Sequence, residues 1–405
     1  MEKKPLWLKN EIQEYAWGSY TFIQELLAST ESETPWAELW LGAHPKAPSR
    51  VLVEGGWHRL DKIIAAEPEI ILGPSAARRF DNSLPYLFKV LAAGQPLSIQ
   101  AHPNREQAKS GFARENHEGI PMQAPNRNYK DENHKPECLC ALTPFWAMKG
   151  FRPVPEMVAL FTDACPRELS DAIGFLKRNP TANGIQRFFE ALMTLPDQKI
   201  RKVIEETASN AAADPEKNDE FRWIKTLYEL YPDDIGILSP ILLNLVCLKP
   251  GEALFLNSGE MHAYLEGAGI EIMANSDNVL RGGLTEKHVD VEELMRVLDF
   301  TPKPLEILTP RPAAACESIY PTETEEFRLS VVEVSGDCTY ENRRIEGPEE
   351  LLCMEGEARL KWDDGKEPLT LTRGGSILIP AALGGYTVTG RARLFKAAVG
   401  AATHR

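Results

Sequence analysis

A chain of 405 residues exceeds what a single hydrophobic core usually serves, so two or three domains are expected. It is 43% hydrophobic and 26% charged, without a low-complexity tract or an apolar run long enough to span a bilayer. The formal net charge of -14 disfavours nucleic acid and anionic membrane as partners, because both demand a basic surface. An anionic substrate would need its own cluster of cations set against that global field.

The first residues, Met1 to Leu8, hold two lysines followed by no sustained apolar stretch. They do not read as a secretory signal, and the cytoplasm is the expected compartment. The 7 cysteines (Cys138, Cys140, Cys165, Cys247, Cys316, Cys338 and Cys353) are odd in number and scattered, so buried, inert thiols are expected rather than a disulfide framework. From about Leu6 to Pro153 the texture is β-rich. Strands are expected at 36–42, 87–91 and 97–102, then a short helix and long loop over 104–132, then strands at 137–142 and 145–151. After Pro153 the texture turns helical. Pro155 and Glu156 mark a first turn, and Ile185, Phe188, Phe189 and Leu192 recur at helical spacing, as do Phe221, Ile224, Leu227, Tyr228 and Tyr231. These stripes are expected to pack helix on helix. β-texture resumes at 245–248 and runs to Met273, followed by a short helix at 290–295 and a Pro-rich connection over 302–312. Short strands with Gly-rich turns then follow at 327–334, 351–354, 358–362, 369–371, 376–379 and 394–399. The division expected is a discontinuous β domain (1–153 and 243–312), a helical insertion (154–242) and a C-terminal β domain (313–405).

Three stretches carry chemistry. In Gln100-Ala101-His102-Pro103, residues two apart on a strand face the same side, so Gln100 and His102 can reach one point. In Asn133-His134-Lys135-Pro136-Glu137, an acidic residue opens an apolar strand. The third follows a known spacing: Gly251, five residues, Asn257, one residue, Gly259, two residues, His262. That is the second cupin motif, with Asn257 where Pro is usual. Taken singly, His102 and His262 fit satisfied core histidines and Glu137 an ordinary ion-pair partner. Together, two imidazoles, a carboxylate and a side-chain carbonyl make an N2O2 set suited to zinc with room for a substrate oxygen.

The chain resembles the type I phosphomannose isomerases nearly end to end. The resemblance is carried by Tyr15-Ala16-Trp17-Gly18, by Ala37 to Pro45, by Leu97 to Pro103, by Asn133 to Glu137, and by Gly259 to Leu265 continuing through Glu271, Asn275 to Val279 and Arg281 to Lys287. It implies two cupin-like jelly-roll barrels plus a helical domain, one Zn2+ held by Gln100, His102, Glu137 and His262, and interconversion of mannose 6-phosphate and fructose 6-phosphate. Gly282, Gly283 and Glu286 depart from the family's more usual choices. In the C-terminal domain, Gly374, five residues and Pro380 begin the cupin spacing again, but Ala382 and Gly385 stand where Gly and His are wanted. That domain is expected to lack a metal and to serve as structure or lid.

An aldose–ketose exchange needs an electrophile on the sugar oxygens, a base for the migrating proton and an anchor for phosphate. Arg281, Lys287, Lys135 and Lys89 answer the charge problem. Lys287 and Ser98 are expected on the phosphate, with Arg281 facing the phosphate or the reacting oxygens; a salt bridge to Asp277 or Glu271 is the plainer alternative. Glu271 is the first choice for the base and His134-Lys135 the second, and Glu271 could equally orient Arg281 or His262. Tyr264, Trp17 and Asp277 complete the candidate substrate contacts. His44 is expected to be structural, and His58, His117, His288 and His404 have no argument for a role. The rival readings are a cupin iron dioxygenase and a non-catalytic sugar-phosphate-binding protein, and a monomer is the expected state.

Overall fold

The computed structural model describes residues 3–29, 32–164, 167–363, 365 and 367–401. Cys165 and His404 lie outside them. The chain is mainly β with a helical insertion. The first β assembly runs, in spatial order, through strands Leu243–Leu248, Phe145–Phe151, His262–Ala274, Tyr86–Ala93, Glu38–Gly42 and Glu11–Gln13, all antiparallel. Ile99–Ala101, Glu137–Ala141, Ala253–Leu256 and Leu280–Gly283 attach beside this path, which ends in edge strands rather than closing into a barrel.

His262–Ala274 is the spine of the site. Its first half pairs with Phe145–Phe151 and Ile99–Ala101, its second half with Tyr86–Ala93 and Glu137–Ala141. The change of partners happens at a register shift between Tyr264 and Glu266. Gly267 makes the bend possible: its φ is +125°, and a Cβ there would sit 2.6 Å from the Pro144 carbonyl oxygen. One continuous strand thereby delivers His262, Tyr264 and Glu271 around a single cavity.

Between Phe151 and Leu243 lie helices Val154–Ala164, Ser170–Arg178, Ala182–Met193, Asp197–Ala213 and Asp219–Leu230. The aromatic stripes pack as the periodicity predicts. Ile185, Phe188, Phe189, Leu192, Phe221, Ile224 and Leu227 are buried in a core shared with Ile99, Met148, Phe151, Ala263 and Leu265 of the sheet. The insertion is welded to the back of the site.

The second assembly carries a difference from the expected division. Its order is Arg311–Ala314, Glu317–Ile319, Arg328–Val334, Tyr386–Ala398, Glu349–Trp362, Ser376–Ile379, then Leu6–Lys9, Arg50–Val53 and Gly56–Arg59. The first strand therefore belongs to the C-terminal sheet, with Leu6 opposite Leu378 and Trp7 opposite Ile377. The cause is its alternation: Leu6 and Leu8 face one core while Trp7 faces the other. The segments expected at 351–354 and 358–362 are one strand, bulged between Cys353 and Glu355 and carried through Gly356 at φ +76°.

The cysteines require a correction. Cys316 and Cys338 form a disulfide with Cα atoms 6.1 Å apart, and Cys247 is exposed. Cys138, Cys140 and Cys353 are buried thiols as expected. Among the described residues, no helix is long and apolar enough to cross a membrane.

Candidate metal centre and substrate cavity

Strand register builds the centre. Gln100 faces His262 on one side and Arg281 on the other, across the short Ile99–Ala101 strand, and His102 follows immediately. Glu137 opens the Glu137–Ala141 strand opposite Met273. The donor atoms of His102, Glu137 and His262 lie within 4.8 Å of one another. His102 Nε2 is 3.3 Å from Glu137 Oε1, and His262 Nε2 is 3.4 Å from Glu137 Oε2. All three side chains are buried.

The remaining ring nitrogens show what those distances mean. His102 Nδ1 lies 2.8 Å from the Asn278 carbonyl and His262 Nδ1 2.9 Å from the Glu260 carbonyl. A carbonyl only accepts, so each Nδ1 donates, and in a neutral ring each Nε2 then carries a lone pair. Those lone pairs face a carboxylate, and His102 Nε2, His262 Nε2 and Glu137 Oε2 have no hydrogen-bond partner. Burial, aided by Lys135, lowers the His102 pKa to about 4, which keeps that ring neutral. Burial would raise Glu137, but the Lys135 ammonium beside it outweighs that and holds the carboxyl well below its ordinary value. Three buried, orphaned donor atoms are costly unless a cation sits among them, and two imidazole nitrogens with a carboxylate are the donor set of a zinc-class ion.

Beside the centre opens a cavity of about 780 Å³ bordered by Gln100, Glu137, Lys135, Ser98, Trp17, Tyr264, Glu271, Lys89, Asp277, Arg281 and Lys287. Its floor is a hydrogen-bonded row. The Tyr264 hydroxyl donates to Glu271 (2.9 Å), Lys89 Nζ reaches Glu271 at 2.8 Å and Glu38 at 3.4 Å, and Trp40 Nε1 donates to Glu38 at 2.7 Å. Burial opposes the Lys89 charge, yet Glu271 and Glu38 outweigh it and raise the ammonium above its ordinary value. Burial raises Glu271, with Lys89 opposing and Glu137 adding to the rise. Glu271 therefore pairs with Lys89, and Asp277 pairs with Lys46 at 2.9 Å, its oxygen 3.6 Å from His44 Nε2.

Arg281 and Lys287 are different. Among the described residues, neither side chain has an ion-pair or hydrogen-bond partner, so the expected alternative of a salt bridge to Asp277 or Glu271 is not what the structure holds. Burial lowers both pKa values, and Arg281 lowers that of Lys287 further. Two neighbouring cations without an ion-pair partner among the described residues line one wall.

His134 is not brought to this cavity. It borders a separate one, where its Nε2 lies 2.7 Å from Glu326 and 3.2 Å from Arg105. Its neighbour Lys135 does face the centre, with Nζ 3.2 Å from Glu137 Oε1. His44 packs edge-on against Trp40 at 4.9 Å, and burial lowers its pKa to about 4. Sequence reasoning gave no role to Glu38 or Trp40. The signal was present, a carboxylate inside the apolar run Trp36 to Gly42.

Comparison with known proteins fits this geometry. Residues 6–154 match the type I phosphomannose isomerase catalytic domain, 161–243 its helical insertion domain, and 317–399 the mannose-6-phosphate isomerase cupin domain. The mannose-6-phosphate isomerase of Escherichia coli is 42% identical over 390 residues, covering 96% of this chain and 97% of that protein. The chain belongs to the type I phosphomannose isomerases. It is accordingly an isomerase, which sets aside the dioxygenase reading. The human mannose-6-phosphate isomerase is 35% identical, with 91% and 92% covered. Among solved structures, a variant of the Salmonella typhimurium phosphomannose isomerase superposes with a TM-score of 0.92 at 38% identity, covering 98% of this chain and all of that one. A zinc-bound mannose 6-phosphate isomerase superposes with a TM-score of 0.91 at 39% identity and 98% coverage of this chain. The chain's departure at Gly283 has a local cause. With φ +136° it packs against the insertion, where a Cβ would lie 3.0 Å from the Gly236 Cα.

Proposed function

We propose that this chain is a zinc-dependent aldose–ketose isomerase that interconverts mannose 6-phosphate and fructose 6-phosphate through a cis-enediol(ate). The observation that carries the reading is the pairing of two features across one cavity. Orphaned nitrogen and oxygen donors converge at one end, and unpaired cations stand on the wall. Gln100, His102, Glu137 and His262 would hold zinc, the metal named for the solved relative. A bound zinc ion supplies Lewis acidity toward the sugar oxygens that carry the developing negative charge.

The chain's own residues do the rest. Lys287 and Ser98 anchor the phosphate, and Arg281, one strand from Gln100, spans phosphate and reacting oxygens. Glu271 takes the proton from one carbon and returns it to the next. Burial lifts its pKa toward the range a general base needs, and Tyr264 and Lys89 fix its orientation. Lys135 is the alternative carrier. Trp17 and Asp277 border the sugar, and Lys89 offsets part of the negative charge of Glu271 and Glu38 on the floor. The residues named complete a site without a second copy, so the proposed reaction needs no partner subunit, and the cytoplasm is the proposed compartment.

Turnover in deuterated water tests the proton route. Fructose 6-phosphate formed from mannose 6-phosphate should carry solvent deuterium at C1 in those turnovers in which the proton on Glu271 exchanges before its return. Glu271→Gln should keep the metal but lose both turnover and this exchange, and a metal-loaded Glu271→Gln with parental turnover and labelling would contradict Glu271 as the base.

A further inference from the structure

We infer that Asn278 is a positioning residue that holds the metal-facing ring of His102 and the loop bearing Lys135 in a single register. The inference rests on the metal-dependent reading above. Asn278 is fully buried, and its side chain uses its whole hydrogen-bonding capacity. Oδ1 accepts from the backbone N–H groups of Lys130 (2.6 Å) and Asp131 (3.2 Å). Nδ2 donates to the carbonyls of Asp131 and Asn133, each at 2.9 Å. The backbone carbonyl of the same residue accepts from His102 Nδ1 at 2.8 Å.

That arrangement matters because the chain from 119 to 136 forms no helix or strand. Its backbone lacks a ladder, and from Asn128 to Asp131 the N–H groups donate to the side chains of Glu115 and Asn278. Ser276 and Asp131 reinforce the tie: the Ser276 hydroxyl donates to Asp131 Oδ1 at 2.8 Å and accepts from the Asn278 N–H at 3.2 Å, while Asp277 N donates to Asp131 Oδ2 at 2.8 Å. Immediately beyond the tied loop, Lys135 and Glu137 enter the centre. A single buried amide therefore joins the residue that sets the His102 tautomer to the segment that supplies a carboxylate ligand and its cationic neighbour. Loosening it should let the ring and the carboxylate drift apart without removing any ligand.

The test uses the full chain, zinc or cobalt(II), and Asn278→Ala, Asn278→Asp and Ser276→Ala. The aspartate keeps the Oδ1 acceptor and loses both Nδ2 donors. Thr207→Ala, deep in the helical insertion, controls for generic destabilisation. Zinc affinity, measured by chelator competition, should weaken about 10- to 100-fold in Asn278→Ala and Asn278→Asp, the range typical of lost support behind a ligand. The cobalt(II) absorption spectrum should shift, and hydrogen exchange should accelerate at 130–133. If both Asn278 variants fail to fold, Ser276→Ala carries the test with an expected weakening of about threefold. Affinity and spectrum within twofold of the parent, or equal weakening in Thr207→Ala, would overturn the inference. A parent protein that binds no zinc and turns over nothing would instead overturn the functional reading.

Discussion

Replacing Lys287 with alanine separates phosphate recognition from everything else the cavity does. Lys287 lies beside Arg281 with no anion to balance either, so the pair awaits an anionic group. A hydrogen bond from a cation to an ionised partner contributes about 1.5–3 kcal/mol, and about 1.4 kcal/mol is a tenfold change. Lys287 is exposed, so its loss belongs at the lower end, about tenfold in kcat/KM for mannose 6-phosphate. The change should fall on KM, with kcat nearly intact, because an anchor remote from the reacting carbons binds ground and transition states alike. Arg281→Ala, at the less exposed position, should cost about a hundredfold and lower kcat as well. The assay is initial-rate kinetics with mannose 6-phosphate and with unphosphorylated mannose, together with inhibition by inorganic phosphate. For mannose, parent and Lys287→Ala should be equal; for the phosphorylated sugar they should differ, and phosphate should inhibit the variant less. Stability should move the other way, since removing one of two unpaired cations relieves their repulsion. Unchanged KM and unchanged phosphate inhibition would refute the anchor.

Two further predictions concern buried charge. Glu350 is fully buried, neither oxygen has a partner, and burial raises its pKa from 4.5 to about 8. The folded state thus holds an extra proton between those values, so the stability this group permits is full below the unfolded value and declines as pH rises toward 8. Glu350→Gln should match the parent in thermal melts near pH 4.5 and exceed it by a few kcal/mol at pH 8.5; identical pH dependence in both proteins would refute this. Lys89→Met strands Glu271 and Glu38 without their cation and should cost about 3–5 kcal/mol in urea unfolding, with part of that regained in the double variant Lys89→Met/Glu38→Gln. A double variant no more stable than the single one would show that Lys89 does not offset the Glu38 charge.

The centre was legible because strand chemistry is periodic. Gln100 and His102 share a face by alternation, and the glycine spacing before His262 announces the turn that delivers it. His134 fared differently, because it and Lys135 lie in the irregular segment before the strand that opens at Glu137, where no period fixes direction: Lys135 turns to Glu137 and His134 to Glu326. Reading Asn133 to Glu137 as one block placed His134 at the wrong cavity. Pairings across the whole chain left no local mark. Leu6–Lys9 reads as a short apolar strand wherever it lies, and its place beside Ser376–Ile379 follows only once two cores are seen on its two faces. The Cys316–Cys338 bond escaped for a related reason, since parity and scatter among seven cysteines cannot single out one pair. Asn278 was visible as part of a motif, but its side-chain hydrogen bonds run to a loop about 150 positions away in sequence, a closure that only the folded chain displays.

The central claim is that the converging donors of His102, Glu137 and His262, with Gln100, hold a catalytic zinc ion. Fructose 6-phosphate formation from mannose 6-phosphate, assayed after exhaustive chelation and again after stoichiometric zinc, tests it most directly. Activity should vanish on chelation and return with one equivalent of zinc per chain, and Glu137→Gln should neither retain the metal nor recover. Full activity in protein shown to be free of metal would contradict the account.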